Sequence, residues 1–570
     1  VTWISGQAPQ AAASGVRKGN IMDTEKGLRW AALAVMAVIV VLPLLTTGIW
    51  YGHDWEAHLL RMTSLNQALA HGQFPPLFDY WNPNQYGYSW QMFYPPLSSL
   101  LFLLARGLTF GLASDMVQMK LVFAFILAVG FSSAFYAGKR EHHSLAAGTL
   151  CGLLFITSAY FLNNLYIRFA VGECLAMAVM PLFIRGCSSL ISDRRDARLI
   201  PLSASLILLS NIPSVVVSLI FFLLFAALNA RALFTRQNLL FLMRSVLLIL
   251  ALTCLYWGPL LYHMLYSDVY AFKGMLFSYR HMDRYKSDLL QTLLGLPSHY
   301  GLTQNGTYSS PGLPLLLLSL AALLMPVARR GKTLLVAGLV MVLLTTNLMN
   351  WNWLPAHTPV INIMQFSWRL LMCACALLAL YAVVPLQWLL THRRGTAGLM
   401  LAALLATAWL PVKSALDQPL PTFQTTRLYA DYLNTRTMQG NTYELLAAQT
   451  LPPTARDHLL PSPGGYLNGY PTFHVSAPAP ALYTLPYVMY AGYTLIVDGQ
   501  SVAPVPLDDG FMGVRLPPGE HTVTLSYQTL IVIIPALVSL STLLMMVCLW
   551  VRKRLRPPLL LMGPPGHLPE

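Results

Sequence analysis

Apolar runs of about twenty residues, parted by short loops rich in Lys and Arg, constrain this chain more than any other feature. In lipid every backbone polar group must be satisfied within the fold, so such runs read as membrane-spanning helices. The composition agrees. Of 570 residues 56% are hydrophobic and 10% charged, with a mean hydropathy of +0.55, whereas soluble domains carry about 25% charged residues. A net charge of +14 would suggest nucleic acid in a soluble chain. Here the cations lie between apolar runs, which is a topology signal, so no nucleic-acid partner is expected.

The clusters Lys139-Arg140, Arg194-Arg195-Arg198, Arg231 with Arg236, Arg329-Arg330-Lys332, His392-Arg393-Arg394 and Arg552-Lys553-Arg554-Arg556 read as cytoplasmic and fix the parity of the crossings. Twelve spans satisfy them: residues 30–50, 116–138, 145–162, 174–191, two within 199–229, then 239–265, 311–327, 333–348, 367–391, 396–412 and 530–550. Residues 97–112 are then a juxtamembrane or re-entrant helix on the outer side. The expected organisation is a cytoplasmic segment 1–29, a transmembrane domain 30–412 with a first outer loop 51–114, an extracytoplasmic domain 413–528, a last helix 529–551 and a basic, Pro-rich tail 552–570. Residues 1–21, before Met22, read as an upstream extension, and no cleavable signal peptide is expected. All seven Cys fall in apolar segments and suggest neither a disulfide framework nor a zinc knuckle.

Within 413–528 the apolar density drops. A helix is expected at 425–437, and from about residue 470 short alternating runs (TFHVSA, LYTLPYV, YTLIVDG, MGVRL, HTVTLSY) divided by Asp-Gly and Pro-Gly pairs predict a small antiparallel β-sandwich.

The stretch YGHDWEAHLLRM places Asp54 about one turn beyond the first span, with His58 on the same helix face. Asp54 could be a general base at the bilayer surface or a carboxylate capping the helix start. Asp54, Glu56 and His58, with His53 nearby, could hold a divalent metal, although the spacing is not HExxH. Glu173 and Arg369 sit at span edges, where an ionisable group is costly unless paired or used. Arg168 with Glu173 reads equally as a structural ion pair or as functional. Arg280, Arg284, Lys273 and Lys286 are further outer-side cations, and Asp79 in FDYWNPN reads as a turn residue. Tyr88 and Tyr94, with neighbouring Trp and Tyr, suit sugar faces or an ordinary aromatic belt.

Taken in order, HDWEAHLLRM, GQFPP, YGYSWQMFYPPL, LYIRFAVGE, LLSNIP and INIMQFSWRLL resemble the GT-C superfamily of membrane glycosyltransferases. More narrowly they are similar to bacterial YfhO-like proteins and the family named after 6-pyruvoyl-tetrahydropterin synthase. Nothing in these residues suggests pterin chemistry. The resemblance implies a polytopic α-helical protein that moves a sugar from a polyprenyl-phosphate donor to an envelope glycan, lipid or protein, outside the bacterial inner membrane and by inverting displacement. It implies Asp54 as base and Glu173 as its support, Arg168, Arg369, Arg280 and Arg284 as phosphate ligands, and His53, His58, Tyr88, Tyr94 and Gln365 as substrate contacts. Two departures stand out: Ser367 replaces the Pro of QFPWR, and Asn211 replaces the His of LLSHIP. A flippase for lipid-linked sugars, or a non-catalytic protein working with envelope-assembly partners, is the competing reading.

Overall fold

The computed structural model describes residues 33–82, 85–273, 282, 285–298, 306–354, 358, 363–423, 425–452 and 458–555. The expected segment 1–29, Arg280, Arg284 and the end of the tail lie outside the described residues. The principal helices are α1 (Trp55–Ala70), α2 (Asp115–His142), α3 (Leu145–Ile156), α4 (Val171–Leu190), α5 (Arg236–Leu252), α6 (Cys254–Tyr266), α7 (Leu371–His392), α8 (Arg394–Asp417) and α9 (Leu530–Leu555). Five stretches are long and apolar enough to cross a membrane: Asp115–His142, Val171–Leu190, Ser367–His392, Arg394–Asp417 and Leu530–Lys553. The chain is a multi-pass membrane protein. α4 and α7 are buried almost throughout, whereas α9 leaves its flank open to lipid.

Two runs read as single spans are broken. Leu145–Ile156 and Ala159–Ile167 meet at 50°, and α5 and α6 meet at 75°. At the first break the Thr157 and Ser158 hydroxyls bond back to Leu153 and Phe155 carbonyls, and the Ala159 N–H turns to Pro311 O. At the second, Ser539 of α9 accepts from Leu255 N–H at 2.9 Å and donates to Ala251 O at 3.1 Å. A hydroxyl from a neighbour thus satisfies both groups that the bend frees. Leu33–Leu45, Leu97–Leu108, Leu199–Ser210, Ile212–Leu228 and Leu313–Leu324 are shorter apolar helices. Asn211 caps the fourth of these, accepting from the Ser214 N–H at 3.1 Å and the Ser214 hydroxyl at 2.8 Å.

The basic clusters between the helices do more than mark topology. Arg185, 4% exposed, pairs with Asp196 at 2.9 Å, Glu141 at 3.3 Å and Asp193 at 3.4 Å. Arg140 also binds Asp196, and Tyr381 of α7 donates to Glu141. This network ties α2, α4 and α7 together at one end of the bundle.

Beyond α8 lie a five-stranded antiparallel sheet, ordered β3-β4-β10-β6-β7, and a three-stranded sheet, ordered β5-β9-β8. Their strands are β3 (Gly465–Leu467), β4 (Tyr470–Ala477), β5 (Ala481–Val488), β6 (Tyr493–Val497), β7 (Gln500–Val502), β8 (Val505–Pro506), β9 (Phe511–Leu516) and β10 (Gly519–Tyr527). Ahead of them a short ladder, β1 (Ile49–Trp50) with β2 (Pro419–Leu420), joins the first outer loop to the end of α8. The helix expected at 425–437 is absent: among the described residues the chain there is irregular up to the 3-10 turn Thr435–Met438. Its backbone is instead used outward, Leu433 O accepting from Tyr270 and Tyr432 N–H donating to Tyr88 Oη.

The first outer loop and the sheets share one core. Phe78, Tyr80, Tyr88 and Phe93 pack with Tyr490, Tyr493 and Tyr527. Tyr80 and Tyr493 exchange a hydroxyl hydrogen bond at 2.8 Å, and Val488 N–H donates to Tyr86 O at 2.8 Å. Gly469, at φ +75°, abuts Gln73 so closely that a Cβ would stand 2.5 Å from the Gln73 nitrogen.

Two outcomes follow. Arg185→Ala removes the buried cation that bridges Glu141, Asp193 and Asp196, while Arg140 and Tyr381 still reach Asp196 and Glu141; losing one partner of a buried pair costs up to about 3–5 kcal/mol, so the thermal unfolding midpoint in detergent should fall, and an unmoved midpoint would show that Arg185 contributes nothing. Gly469→Ala meets both a left-handed backbone and a backbone clash. It should open the loop–sheet contact and expose the first outer loop to limited proteolysis while the helix bundle stays intact.

Candidate active site

Gly52 lets the chain after the first apolar helix run against residues 167–169: a Cβ there would lie 3.0 Å from Ile167 O and 2.7 Å from Phe169 Cβ. Two backbone bonds follow, His53 N–H to Ile167 O at 3.0 Å and Asp54 N–H to Arg168 O at 2.9 Å. Asp54 is thereby set beside Arg168 by main-chain geometry. It precedes α1, yet its carboxylate caps none of the helix N–H groups, and it has no hydrogen-bond or ion-pair partner among the described residues. The helix-cap reading therefore fails. The residue is open to solvent, with Arg168, Arg369, Glu173 and Arg427 close enough to act on it. Burial raises its pKa; Arg168 and Arg369 pull it down, Glu173 pushes it up, and Arg427 pulls it down.

The two arginines are held by one carboxylate. Glu173, in the first turn of α4 and 2% exposed, accepts from Arg168 Nη1 at 2.8 Å and Arg369 Nε at 3.1 Å. Its other oxygen accepts from the Tyr160 hydroxyl and from Asn164 Nδ2. With four donors on two oxygens Glu173 is saturated, so it is a holder of the arginines and not a free acid. Arg168 is held through Nη1 alone, by Asn164 at 2.6 Å and Glu173. Arg369 is held through Nε and through Nη1, which donates to Gln365 Oε1 at 2.6 Å and Met364 O at 3.0 Å. Among the described residues the rest of each guanidinium fork makes no hydrogen bond. Phe169 and Gln365, both non-glycine residues at positive φ (56° and 66°), flank these arginines, local strain of a kind common at functional sites.

Tyr94 of the YPP motif lies over Arg61, whose Cζ is 3.7 Å from the ring centroid. Its hydroxyl reaches α4, where a Cβ on Gly172 would stand 2.6 Å from it. Asp54 and Arg369 are close enough to act on it electrostatically. Arg61 donates to Ser98 at 2.7 Å and contacts His58. His53 has its pKa lowered to about 4 by burial and by Arg168, so it is neutral at physiological pH.

Several expected roles are corrected. Tyr88 is fully buried, and its hydroxyl accepts from Tyr432 N–H at 3.0 Å; it is a core residue with no face for substrate. His58 is 5% exposed and committed to Arg61. Glu56 binds Thr425 and, at 3.3 Å, Arg427. Asp54, Glu56 and His58 thus do not converge, and no group of three metal-ligating side chains exists among the described residues. Asp79 accepts from Trp81 N–H, Asn82 N–H and Asn82 Nδ2, as a turn residue does. Arg280 and Arg284 lie outside the described residues.

The sequence reading missed Arg427, Tyr429 and Asp431, which the segment before the sheets brings to Asp54. The one signal was the charged and aromatic run TRLYADY in a stretch read as helix.

No protein-family model matches the chain, and no curated protein matches it. Two solved structures resemble it weakly. ArnT from Cupriavidus metallidurans bound to undecaprenyl phosphate has a TM-score of 0.40 and 13% identity over 68% of this chain and 76% of that one. Arabinofuranosyltransferase AftD from Mycobacteria has a TM-score of 0.42 and 16% identity over 76% of this chain and 30% of that one. Likeness of this degree assigns the chain neither a fold family nor an activity.

Proposed function

We propose that the protein is a glycosyltransferase that moves a sugar from a polyprenyl-phosphate donor to an envelope acceptor on the extracytoplasmic face of a bacterial inner membrane. The observation that carries this reading is an unpartnered Asp54 carboxylate beside two arginines that Glu173 holds in place with part of each fork free. Such an array suits displacement at an anomeric carbon. Arg168 and Arg369 stabilise the departing lipid phosphate, for which guanidinium forks are matched in shape and charge. Asp54 takes the proton of the attacking hydroxyl. The new glycosidic bond forms as the carbon–oxygen bond to phosphate breaks, and the phosphate leaves as an anion without a proton. The ordered motifs that resemble those of GT-C enzymes support the same reading, as does the place of Asp54 just after the first apolar helix.

The test is transfer of labelled sugar from polyprenyl-phosphate donors in proteoliposomes. Asp54→Asn should lower kcat by about 10²–10⁴-fold, and Arg369→Ala should raise the donor KM, with both variants folded by thermal unfolding. Full transfer by Asp54→Asn would overturn the assignment. The pH dependence has a fixed sign. A base works ionised, and the pKa of Asp54 is raised above the ordinary Asp value of about 3.9. The rate should therefore fall with falling pH on a limb displaced to higher pH than that of an ordinary aspartate, and Asp54→Asn should abolish that limb.

A further inference from the structure

Asp431 stands on a segment fixed from every side except that of its own carboxyl group. Its carbonyl accepts from Ala271 N–H at 2.8 Å. The residue after it is gripped twice, Tyr432 N–H donating to Tyr88 Oη at 3.0 Å and Tyr432 O accepting from Tyr490 Oη at 2.8 Å. On the other side, Arg427 O accepts from Gln85 Nε2 at 3.1 Å, and Leu428 O from Tyr443 Oη at 3.1 Å. Arg427 and Thr425 both bind Glu56 of α1, one turn or less from Asp54. The Asp431 carboxyl itself has no hydrogen-bond or ion-pair partner among the described residues. A backbone held this firmly around an unused carboxyl is how a binding group is preorganised.

We propose that Asp431, on the segment that Thr425 and Arg427 tie to Glu56 of α1, is an acceptor-positioning residue beside Asp54, its carboxyl group holding a sugar hydroxyl of a glycan acceptor. This rests on the glycosyl-transfer reading and extends it. The charges around the two acids divide the cleft. Asp54 is acted on by Arg168, Arg369 and Arg427. The groups around Asp431 are Asp54, Tyr88, Tyr432 and Tyr443, with Tyr429 alongside, and the charge acting on its carboxyl is that of Asp54. Burial and Asp54 both raise its pKa. A phosphate would be repelled there. A neutral sugar hydroxyl donates to the ionised carboxylate in a charge-assisted bond that an amide does not reproduce. Tyr429, 5.2 Å from Trp90 between ring centroids, supplies an aromatic wall beside it. The donor's phosphate is thus drawn to the membrane-side arginines and the acceptor to the segment hanging from the outer sheets.

The test uses the full chain in proteoliposomes, with two readouts. Binding of undecaprenyl phosphate alone should be lost in Arg369→Ala and kept in Asp431→Asn. With a donor and glycan acceptor that the wild type joins, Asp431→Asn should raise the acceptor KM about tenfold or more, leave the donor KM unmoved and keep kcat within about threefold at saturating acceptor. Asp431→Ser serves as the second variant if the first unfolds. Transfer with an unmoved acceptor KM, or a raised donor KM, overturns the role of Asp431 and leaves the glycosyl-transfer reading standing. Absence of both lipid-phosphate binding and sugar transfer in the folded wild type overturns the reading and this assignment with it.

Discussion

A glutamate with 2% of its surface exposed, at the edge of a membrane helix bundle, is tolerable only when cations and hydrogen-bond donors meet its charge. For Glu173 those partners come from both sides of the bundle: Tyr160, Asn164 and Arg168 from the broken helix before α4, and Arg369 from the turn before α7. The carboxylate therefore fixes where two distant parts of the sequence meet. Because the same Arg168 backbone accepts from Asp54 N–H, it also fixes where the first outer loop lands. Asn164 and Arg168, four residues apart, both turn to this carboxylate from the wide turn at Asn163–Ile167.

The second constraint is the shared core of the first outer loop and the sheets. With Tyr80 on Tyr493 and Gln73 against Gly469, the segment containing Arg427 and Asp431 is trapped between them. That is why residues 425–434 carry little regular structure: besides a turn bond from Leu433 N–H to Ala430 O, their backbone groups bond to Gln85, Tyr88, Tyr270 and Ala271. The sheets consequently act on the cleft as a fixed wall, and their contribution is through this segment rather than through their own strands.

The sequence was most legible where polar residues interrupt apolar runs. LYIRFAVGE contained Arg168 and Glu173, and INIMQFSWRLL contained Gln365 and Arg369, because an ionisable group at a span edge must be paired or used. The alternation after residue 470 announced the sheets. What stayed hidden depends on tertiary partners. Arg185 sits within an apolar helix, and its acidic partners, Glu141 at the end of α2 and Asp193 and Asp196 in the loop after α4, are at positions that topology rules treat as solvated. Tyr88 has the composition of an aromatic platform, and only the packing of Tyr432 and Tyr490 around it makes it core. Residues 425–437 have adequate helix propensity, but long-range hydrogen bonding overrides it.

The charges in the cleft also order the events of the proposed reaction. Arg168 and Arg369 against Glu173 leave one positive charge in excess, and that excess favours the ionised form of Asp54, opposing the burial that disfavours it. A phosphate taking the uncommitted guanidinium donors would neutralise the excess. Asp54 would then bind a proton more tightly, which is what a base needs at the moment an acceptor hydroxyl is to be deprotonated. Until a phosphate occupies them, the arginines hold the same carboxylate in check. On this reading the donor makes Asp54 a stronger base by occupying the arginines, so an acceptor arriving before the donor meets a weaker base and is activated less.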